Sequence, residues 1–292
     1  MRVLVTGGAG YIGSNLADAL LSAGHQVTVL DNLSTGRMEN IQHLLGHERF
    51  RFENDTILKE ELVDSLVAEV DQVYHLAAMV GVKYVVDDPL QNIRTNVAGT
   101  EIVLSQARRH WKRIVIASSS EVYGKNPRLP WSEEDDCVLG PTTVSRWSYA
   151  LSKSIDEHCA LAHARDGFPA SVVRYFNTNG PRMAPNGYGS VVARFITQAL
   201  SGEPITVHGD GRQSRCFTYV DDTVRGTILA GTAPDAVGRV FNIGADREIS
   251  ITDLAKLVRT LVGSDSEIVS LPYQRVYGDL FEDTRRRVPD VS

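Results

Sequence analysis

The sequence predicts an α/β fold, in which a doubly wound parallel sheet is followed by a smaller C-terminal lobe. Three observations support this. Short β-branched runs alternate with longer amphipathic stretches over the first 177 residues, a glycine-rich turn joins the first strand to the first helix, and the alternation is lost afterwards. Strands that alternate with helices form right-handed crossover units, and these units build a parallel sheet with helices on both faces.

Six runs have the length and composition of buried strands, and four stretches between them have helical apolar spacing. The predicted strands are residues 3–5, 26–30, 50–52, 73–76, 114–117 and 171–176, and the predicted helices are residues 11–23, 59–69, 89–109 and 145–165. Two more helices are expected near residues 221–230 and 251–261.

The change of pattern at about residue 177 predicts two parts. We expect residues 1–177 to form a nucleotide-binding domain, completed by parts of 216–243. Residues 178–292 would then form most of a smaller lobe for the substrate.

Composition excludes several classes of protein. The 292-residue chain is 42% hydrophobic and 23% charged, with a net charge of -6. This profile is typical of a globular protein and unsuited to a nucleic-acid or membrane partner, since both attract basic proteins. The three cysteines have no spacing for a disulfide framework or a metal site, and no signal or membrane segment follows Met1. We therefore expect a cytoplasmic protein without a metal.

The turn after the first strand is a candidate phosphate-binding loop. Its glycines recur at every third position, at Gly7, Gly10 and Gly13. Glycine allows the backbone to approach a pyrophosphate closely, and the helix N-terminus supplies N–H groups and a positive dipole. The second strand ends in Asp31, where a carboxylate can bind ribose hydroxyls and would repel a 2′-phosphate. The spacing therefore predicts NAD, in preference to NADP, as the cofactor.

Residues after the third and fourth strands are further candidates for the cofactor site. Asp55 lies just past the third strand, where it can meet the adenine edge or act as an ordinary loop or capping carboxylate. Leu76, Ala77 and Ala78 end the fourth strand, where small residues would let the chain pass under the cofactor. His75, just before them, is equally interpretable as a hydrogen-bonded core histidine.

Tyr149 and Lys153 form a candidate acid-base pair. They are four residues apart in a predicted helix, so their side chains project from one face. A nearby ammonium would favour the phenolate, which could take a proton from a sugar or alcohol hydroxyl. Ser119 lies just past the predicted fifth strand, and ligands of open α/β sheets bind at such carboxyl ends. The three side chains together predict hydride-transfer chemistry on an alcohol.

These motifs are accompanied by residues 174–182, which read RYFNTNGPR. The combination resembles the extended short-chain dehydrogenase/reductases of the nucleotide-sugar epimerase, dehydratase and decarboxylase group, from residue 2 to about residue 290. The resemblance implies a Rossmann-type fold, tightly held NAD, C4 oxidation of the sugar to a 4-keto intermediate, and return of the hydride. It also implies a homodimer formed through the Tyr149 helix. The expected cofactor contacts include Tyr11, Ile12, Asn32, Tyr149, Lys153 and Tyr175.

Three reactions can follow C4 oxidation in that group: 4-epimerisation, loss of the C5 carboxylate, or elimination of water across C5 and C6. All three use Ser119, Tyr149 and Lys153, so the discriminating residue lies elsewhere. Ser120 and Glu121 resemble the corresponding pair of decarboxylases and 4,6-dehydratases, in which Glu121 could manage a proton at C5. The alternative is that Glu121 merely caps or orients its loop.

Further resemblances favour decarboxylation of UDP-glucuronate. Residues 176–183 and 146–149 look like the matching stretches of UDP-glucuronate decarboxylases, and Arg287, two residues before Pro289, matches the arginine that faces the sugar carboxylate there. A guanidinium suits bidentate contact with a carboxylate. Residues 31–36 look more like UDP-glucose 4-epimerases. A 4-epimerase and a 4,6-dehydratase therefore stay as alternatives, with a non-catalytic dinucleotide sensor as a remote one.

The lobe is expected to bind the nucleoside diphosphate. Asn177 and Arg215 match positions that contact the pyrophosphate in the family, and Val207 lies with His208 where the family has a turn that packs on the base. UDP is favoured by the resemblance, with GDP and dTDP left open. Arginines are concentrated in residues 171–220, which contain Arg174, Arg182, Arg194, Arg212 and Arg215, and this surplus would favour a small dianionic diphosphate.

Overall fold

A parallel sheet of seven strands forms the centre of the molecule. The computed structural model describes residues 1–81, 88–183, 190–277, 282 and 284–292. The strands are β1 (Arg2–Thr6), β2 (Gln26–Leu30), β3 (Phe50–Glu53), β4 (Gln72–His75), β5 (Arg113–Ser119), β6 (Ala170–Tyr175) and β10 (Val240–Ile243). Their order is β10-β6-β5-β4-β1-β2-β3, with every neighbouring pair parallel. The strand order reverses between β1 and β4, where doubly wound sheets bind ligands.

Helices cover both faces of this sheet. They are α1 (Tyr11–Ser22), α2 (Glu60–Glu69), α3 (Pro89–Ile93), α4 (Gly99–Arg109), α5 (Trp147–Arg165) and α7 (Val220–Thr232). One apolar core lies under α2, α4 and α5, and a second lies under α1 and α7. The predicted doubly wound α/β fold is confirmed. The expected single helix over 89–109 is interrupted by a π-helical turn at Arg94–Ala98.

The C-terminal lobe has two small sheets and its own core. A four-stranded sheet contains β7 (Asn177–Asn179), β9 (Ser214–Tyr219), β11 (Glu248–Ser250) and β13 (Arg286–Arg287), and a two-stranded sheet pairs β8 (Ile205–His208) with β12 (Ile268–Leu271). The helices of this part are α6 (Val191–Leu200), α8 (Ile251–Val262) and α9 (Tyr273–Tyr277). The apolar faces of α6 and α8 pack together over β8.

The chain returns from the lobe to the central sheet. After β9, α7 packs against β6, and β10 then pairs in parallel with β6. Residues 220–232 and 240–243 therefore lie with the first 177 residues. The assignment of the two parts to cofactor and substrate stays a prediction.

A buried ion pair fastens α5 to the carboxyl ends of β5 and β6. Arg174 Nε and Nη2 donate to the two carboxylate oxygens of Glu157, at 2.9 and 2.7 Å. Ser118 donates to the same carboxylate, and Arg174 Nη1 donates to the Tyr123 hydroxyl at 2.9 Å. Both charged side chains are more than nine-tenths buried, so each depends on the other for compensation. This pair sets the position of α5 on the sheet.

We predict that Arg174→Met lowers the free energy of unfolding by about 3 kcal/mol, because it leaves the Glu157 carboxylate buried without its counter-charge. Urea unfolding followed by circular dichroism measures the change. Arg2→Met is the matched control, because the Arg2–Asp71 pair is half exposed and its loss is expected to cost less than about 1 kcal/mol. Equal losses in the two variants would contradict the role given to the buried pair.

Candidate functional site

The glycine turn lies at the switch point of the sheet and needs glycine at its two ends. Gly7 has a φ of 71°, and a Cβ there would lie 2.7 Å from the backbone nitrogen of Ala77. A Cβ at Gly13 would overlap the carbonyl oxygen of Gly7, because the first turn of α1 packs directly on the loop. The turn is therefore packed between the segment that follows β4 and the first turn of α1.

The outer side of this turn fits a dinucleotide phosphate. Helix α1 starts after Gly10 with no capping side chain and no acidic residue in its first turn, so the amide groups of Tyr11 and Ile12 face no competing side-chain acceptor from these positions. A Cβ at Gly10 would meet only the Gly7 carbonyl, at 3.1 Å. The helix N-terminus thus offers N–H donors and a positive dipole to a diphosphate.

Asp31 stands beside the turn as the sequence predicts. Its two carboxylate oxygens accept from the backbone N–H groups of Ala9 and Leu33, at 2.9 and 2.8 Å. Burial raises the pKa of this carboxyl, although these backbone hydrogen bonds oppose the rise. The free lone pairs suit ribose hydroxyls, and a 2′-phosphate would meet a buried carboxylate. These residues fit NAD.

Four other candidate cofactor residues lie in the segments that follow β4 and β2. Leu76, Ala77 and Ala78 follow β4, and the Ala77 N–H donates to the hydroxyl of Thr6 at 3.3 Å, which fixes the segment under the turn. The Asn32 side chain accepts from the Ser34 N–H at 3.1 Å.

Asp55 and Tyr175 already have partners in the structure. The Asp55 carboxylate accepts from Lys59 at 2.6 Å and from the Thr56 N–H at 2.8 Å. This arrangement suits the alternative reading of Asp55 as a loop carboxylate. The Tyr175 hydroxyl bonds to that of Thr227 at 2.8 Å. Contacts of these two residues with the cofactor stay predictions.

Ser119 and Tyr149 are brought together at the end of β5. Ser119 caps the 3-10 helix Ser120–Tyr123 by accepting from the Glu121 N–H at 3.2 Å, and it also hydrogen-bonds Tyr149. Burial and then the Glu121 carboxylate raise the pKa of Tyr149. Lys153 is not among the groups that set this pKa, so the expected effect of its ammonium on Tyr149 stays a prediction. The Lys153 ammonium pairs with Asp156, at 3.1 Å, and both side chains are buried.

Glu121 lies between two arginines from distant parts of the chain. Arg146 Nη2 donates to its two oxygens at 3.3 and 3.0 Å, and Arg287 Nη1 lies 2.7 Å from Oε1. Burial would raise the pKa of Glu121, but Arg287 and Arg146 outweigh it and hold the pKa at about 2. Glu121 is therefore a carboxylate at neutral pH. The Arg287 Nε is buried and lacks an acceptor among the described residues.

The small sheet carries three of the four predicted substrate residues. Asn177 in β7 pairs in register with Phe217, Arg215 in β9 pairs with Arg287 in β13, and so the strands place these side chains in neighbouring positions. The Trp131 N–H donates to the Val288 carbonyl at 2.8 Å, which holds the last segment against the main domain. The Asn177 Oδ1 is buried and lacks a partner among the described residues.

Val207 does not lie in a turn, as the sequence resemblance suggested. It is an interior residue of β8, and its side chain belongs to the core between α6 and α8. An apolar β-branched residue on the inner face of a strand is buried by the helices above it, so strand pairing with β12 overrides the expected turn. Contact of Val207 with a base stays a prediction.

The arginine surplus of residues 171–220 is smaller than the sequence suggests. Arg174 is neutralised by Glu157, and Arg182 pairs with Asp18 of α1. Arg215 donates to the carbonyls of Ser214 and Arg285, at 2.7 and 3.3 Å. The charge count therefore overstated the cationic side chains available to a diphosphate.

Sequence reasoning gave no role to three residues of this region. Asn96, in the π-helical turn, accepts from the Met79 N–H at 2.7 Å and so holds the chain that follows Ala78; such turns often mark functional sites. Arg146 precedes Tyr149 by three residues, and this helical spacing was the available signal. Asp156 has the same spacing from Lys153.

Comparison with known proteins identifies the family. A model described as the NAD dependent epimerase/dehydratase family matches residues 3–244. The chain belongs to this family. Its cofactor is NAD, and it is an enzyme of the NAD-dependent nucleotide-sugar group, as predicted.

The proteins similar in sequence to this chain include decarboxylases. It is 42% identical over 291 residues to the UDP-N-acetyl-alpha-D-glucosaminuronate decarboxylase of Bacillus cytotoxicus, covering 100% of this chain and 89% of the relative. It is 40% identical to UDP-glucuronic acid decarboxylase 1 of Xenopus tropicalis, covering 99% of this chain and 66% of that protein, so it spans just under two thirds of the latter's length.

Solved structures of this family include an epimerase of similar shape. The UDP-glucuronic acid 4-epimerase from Bacillus cereus, in complex with UDP-glucuronic acid and NAD, superposes with a TM-score of 0.87 and 32% identity, covering 100% of this chain and 90% of that chain. Within the part of the chain that the structure describes, helices are too short or too polar to cross a membrane.

We predict that the glycines of the turn have separable roles. Gly13→Ala lowers the melting temperature of the NAD-free protein by at least about 3 °C, since its Cβ overlaps backbone. Gly10→Ala changes that temperature by less than about 2 °C but weakens NAD binding at least about tenfold, since its Cβ enters the space next to the helix N-terminus. Calorimetry and NAD titration measure the two effects. An unchanged NAD affinity in Gly10→Ala would contradict the placement of the pyrophosphate.

Proposed function

We propose that the protein is an NAD-dependent decarboxylase of a UDP-hexuronate, with UDP-glucuronate as its substrate. The observation that carries the proposal is the place of Arg287. Its guanidinium lies against Glu121 at the end of β5, beside the Ser119–Tyr149 pair, and its buried Nε lacks an acceptor among the described residues. A buried guanidinium donor without an acceptor is costly, and a sugar carboxylate supplies one. A neutral hexose offers only hydroxyl and ring oxygens, which form weaker hydrogen bonds with a guanidinium than a carboxylate does.

The chemistry follows from the position of the carboxylate in the sugar. NAD held at the glycine turn would supply the hydride acceptor for C4 of the sugar and, later, the hydride that reduces this carbon again. Tyr149, hydrogen-bonded to Ser119, is placed to take the proton of the C4 hydroxyl. The resulting C4 ketone is β to the C5 carboxylate, so the bond from C5 to the carboxylate carbon breaks with its electron pair passing into an enolate at C4. Carbon dioxide leaves, a proton returns to C5, and the product is a UDP-pentose.

Glu121 has an orienting role in this proposal. Arg146 and Arg287 hold its pKa at about 2, so it carries no proton to give to C5 at neutral pH. Its carboxylate fixes the Arg287 guanidinium instead, at 2.7 Å. An orienting role for Glu121 draws on both interpretations of the sequence, in which this residue either discriminates the reaction or orients its loop. The source of the C5 proton is then another group or water.

A 4-epimerase of the same uronate is the second candidate. It is favoured by the similarity to the Bacillus cereus UDP-glucuronic acid 4-epimerase, which acts on a sugar with the same carboxylate. The two reactions differ only after the C4 ketone has formed, because the epimerase keeps the carboxylate and the decarboxylase loses it.

The test is incubation of the purified protein and NAD with UDP-glucuronate, UDP-N-acetylglucosaminuronate, UDP-glucose and dTDP-glucose, followed by mass spectrometry. We expect UDP-glucuronate to lose the mass of carbon dioxide. Loss restricted to the acetamido sugar would change the substrate, an unchanged mass with a new sugar signal would indicate epimerisation, and loss of water would indicate dehydration. Arg287→Met is expected to lower kcat/KM for the uronate roughly 100-fold, because it removes a charged hydrogen-bond donor.

The neighbouring arginine provides the control for this variant. Arg286 pairs with Glu248 and is about half exposed, whereas Arg287 is almost fully buried beside Glu121. Arg286→Met is therefore expected to keep kcat/KM within about twofold of the wild type. A similar loss in both variants would indicate a structural effect of β13 and would contradict carboxylate binding by Arg287.

We also propose that the enzyme is a homodimer joined through α5. Leu151 and Ile155 lie one turn apart on this helix and are 47% and 37% exposed, and Leu90 on the neighbouring α3 is 66% exposed. A second copy would cover this apolar face. Leu151→Glu is expected to convert the dimer to monomer in sedimentation analysis, whereas Leu261→Glu, at a separate exposed site, is not. A monomeric wild-type protein would contradict this proposal.

A further inference from the structure

A chain of buried polar side chains runs beneath the cofactor site. It starts at Lys153 of α5 and ends at Thr6, the last residue of β1. Its members are Lys153, Asp156, Thr100, His75 and Thr6, and none is more than 2% exposed. Buried polar groups of this kind are conformationally specific only when every member has its partners.

Each link is a direct contact. The Lys153 Nζ lies 3.1 Å from Asp156 Oδ2, and the Asp156 carboxylate is hydrogen-bonded by the Thr100 hydroxyl. The Thr100 hydroxyl lies 2.9 Å from His75 Nε2, and His75 Nδ1 lies 2.7 Å from the Thr6 hydroxyl.

Counting the protons that each side chain can donate fixes the direction of the hydrogen bonds along this chain of side chains. Burial raises the pKa of Asp156, while the Lys153 ammonium and the Thr100 hydrogen bond oppose the rise. Because the ammonium lies 3.1 Å away, the carboxylate acts as an acceptor, and the single hydroxyl proton of Thr100 is used to donate to it. Thr100 must then accept from His75 Nε2–H. Burial and the charge of Lys153 lower the pKa of His75 to about 3, so the ring is neutral and its Nδ1 is an acceptor. The Thr6 hydroxyl therefore donates to Nδ1, while it accepts from the Ala77 N–H.

The two ends of the chain belong to the two halves of the cofactor site. Thr6 directly precedes Gly7, and Ala77 is the residue against which Gly7 packs. Lys153 lies one helical turn from Tyr149. The chain thus crosses from β1 to β4, which are paired at Thr6 and His75, and on through α4 to α5.

We propose that Asp156 is a positioning residue for Lys153: its carboxylate holds the ammonium, and through Thr100 and the Nε2–H tautomer of His75 it ties that ammonium to the glycine turn. The proposal rests on the proposed function only in that Lys153 takes part in cofactor binding and turnover. It assigns a role to a carboxylate that neither the decarboxylation step nor the carboxylate-binding arginine uses.

The charge of Asp156 matters for Lys153 because the ammonium of Lys153 is buried. An ammonium that is out of water needs a counter-charge to stay protonated, since desolvation lowers the pKa of lysine. The molecule contains a surface counterpart with the same spacing, in which Lys256 and Asp253 lie 3.0 Å apart with both side chains about 60% exposed. There, water replaces the partner at little cost. The buried pair is expected to affect function, and the exposed pair is not.

Two substitutions separate the charge from the hydrogen bond. Asp156→Asn removes the charge but keeps an oxygen that accepts from Thr100, whereas Asp156→Ala removes both. We expect Asp156→Asn to weaken NAD binding about tenfold and to lower kcat by at least about tenfold, with KM for the sugar changed less than about twofold. Asp253→Asn is the control and is expected to leave all three values unchanged.

The tautomer of His75 is measured without substrate, by long-range ¹H–¹⁵N correlation on the NAD-free protein, with the His75→Gln spectrum for assignment. We expect the Nε2–H form in the wild type and in Asp156→Asn, and a loss of this preference in Asp156→Ala. If Asp156→Ala fails to fold because it strands the Lys153 ammonium, the double variant Lys153→Met/Asp156→Ala removes both charges and serves for the same measurement.

Two results would overturn the proposal: an Nδ1–H tautomer in the wild type, or unchanged NAD affinity in Asp156→Asn. Neither measurement requires turnover. A protein that decarboxylates no uronate would therefore refute the proposed function, while weakened NAD binding and the expected tautomer would still support the role of Asp156.

Discussion

The buried pair of Arg174 and Glu157 fixes the geometry on which the site depends. Arg174 lies on β6 and Glu157 on α5, so their two hydrogen bonds set where the helix lies on the sheet. Tyr149 and Lys153 are carried by the same helix, and Ser118, which also bonds Glu157, precedes Ser119 on β5. A buried ion pair tolerates little change of distance, because neither charge has water as an alternative partner. The tyrosine and the serine therefore meet at one defined place.

Charges in the site are compensated across elements that are distant in sequence. Glu121 at the end of β5 is matched by Arg146 at the start of α5 and by Arg287 of β13, and Lys153 is matched by Asp156. As a result, Tyr149 lies close to the Glu121 carboxylate and keeps its proton in the resting protein, with a raised pKa. The proposed role of Tyr149 as a base therefore requires a positive charge nearby, such as that of an oxidised nicotinamide, which would lower this pKa.

The two parts of the molecule meet through short backbone links. β13 pairs with β9 of the small sheet, and residues just after it hydrogen-bond Trp131 of the main domain. Arg287 therefore reaches Glu121 although the two residues are 166 positions apart in the sequence. Because the same short segment carries Arg286 on its exposed side and Arg287 on its buried side, alternation along a strand decides which of two adjacent arginines enters the site.

The sequence by itself determined the doubly wound fold, the glycine turn with Asp31, and the shared face of Tyr149 and Lys153, because these follow from local periodicity and from steric rules within a few residues. It placed Val207 in a turn, and it could not show that Lys153 pairs with Asp156, that two arginines surround Glu121, or that Arg174 and Arg182 are neutralised. Those outcomes depend on which buried charge finds which partner once strands and helices from distant positions pack. Only the tertiary structure decided them, since the cost of burying a charge is set by its surroundings and not by its neighbours in sequence.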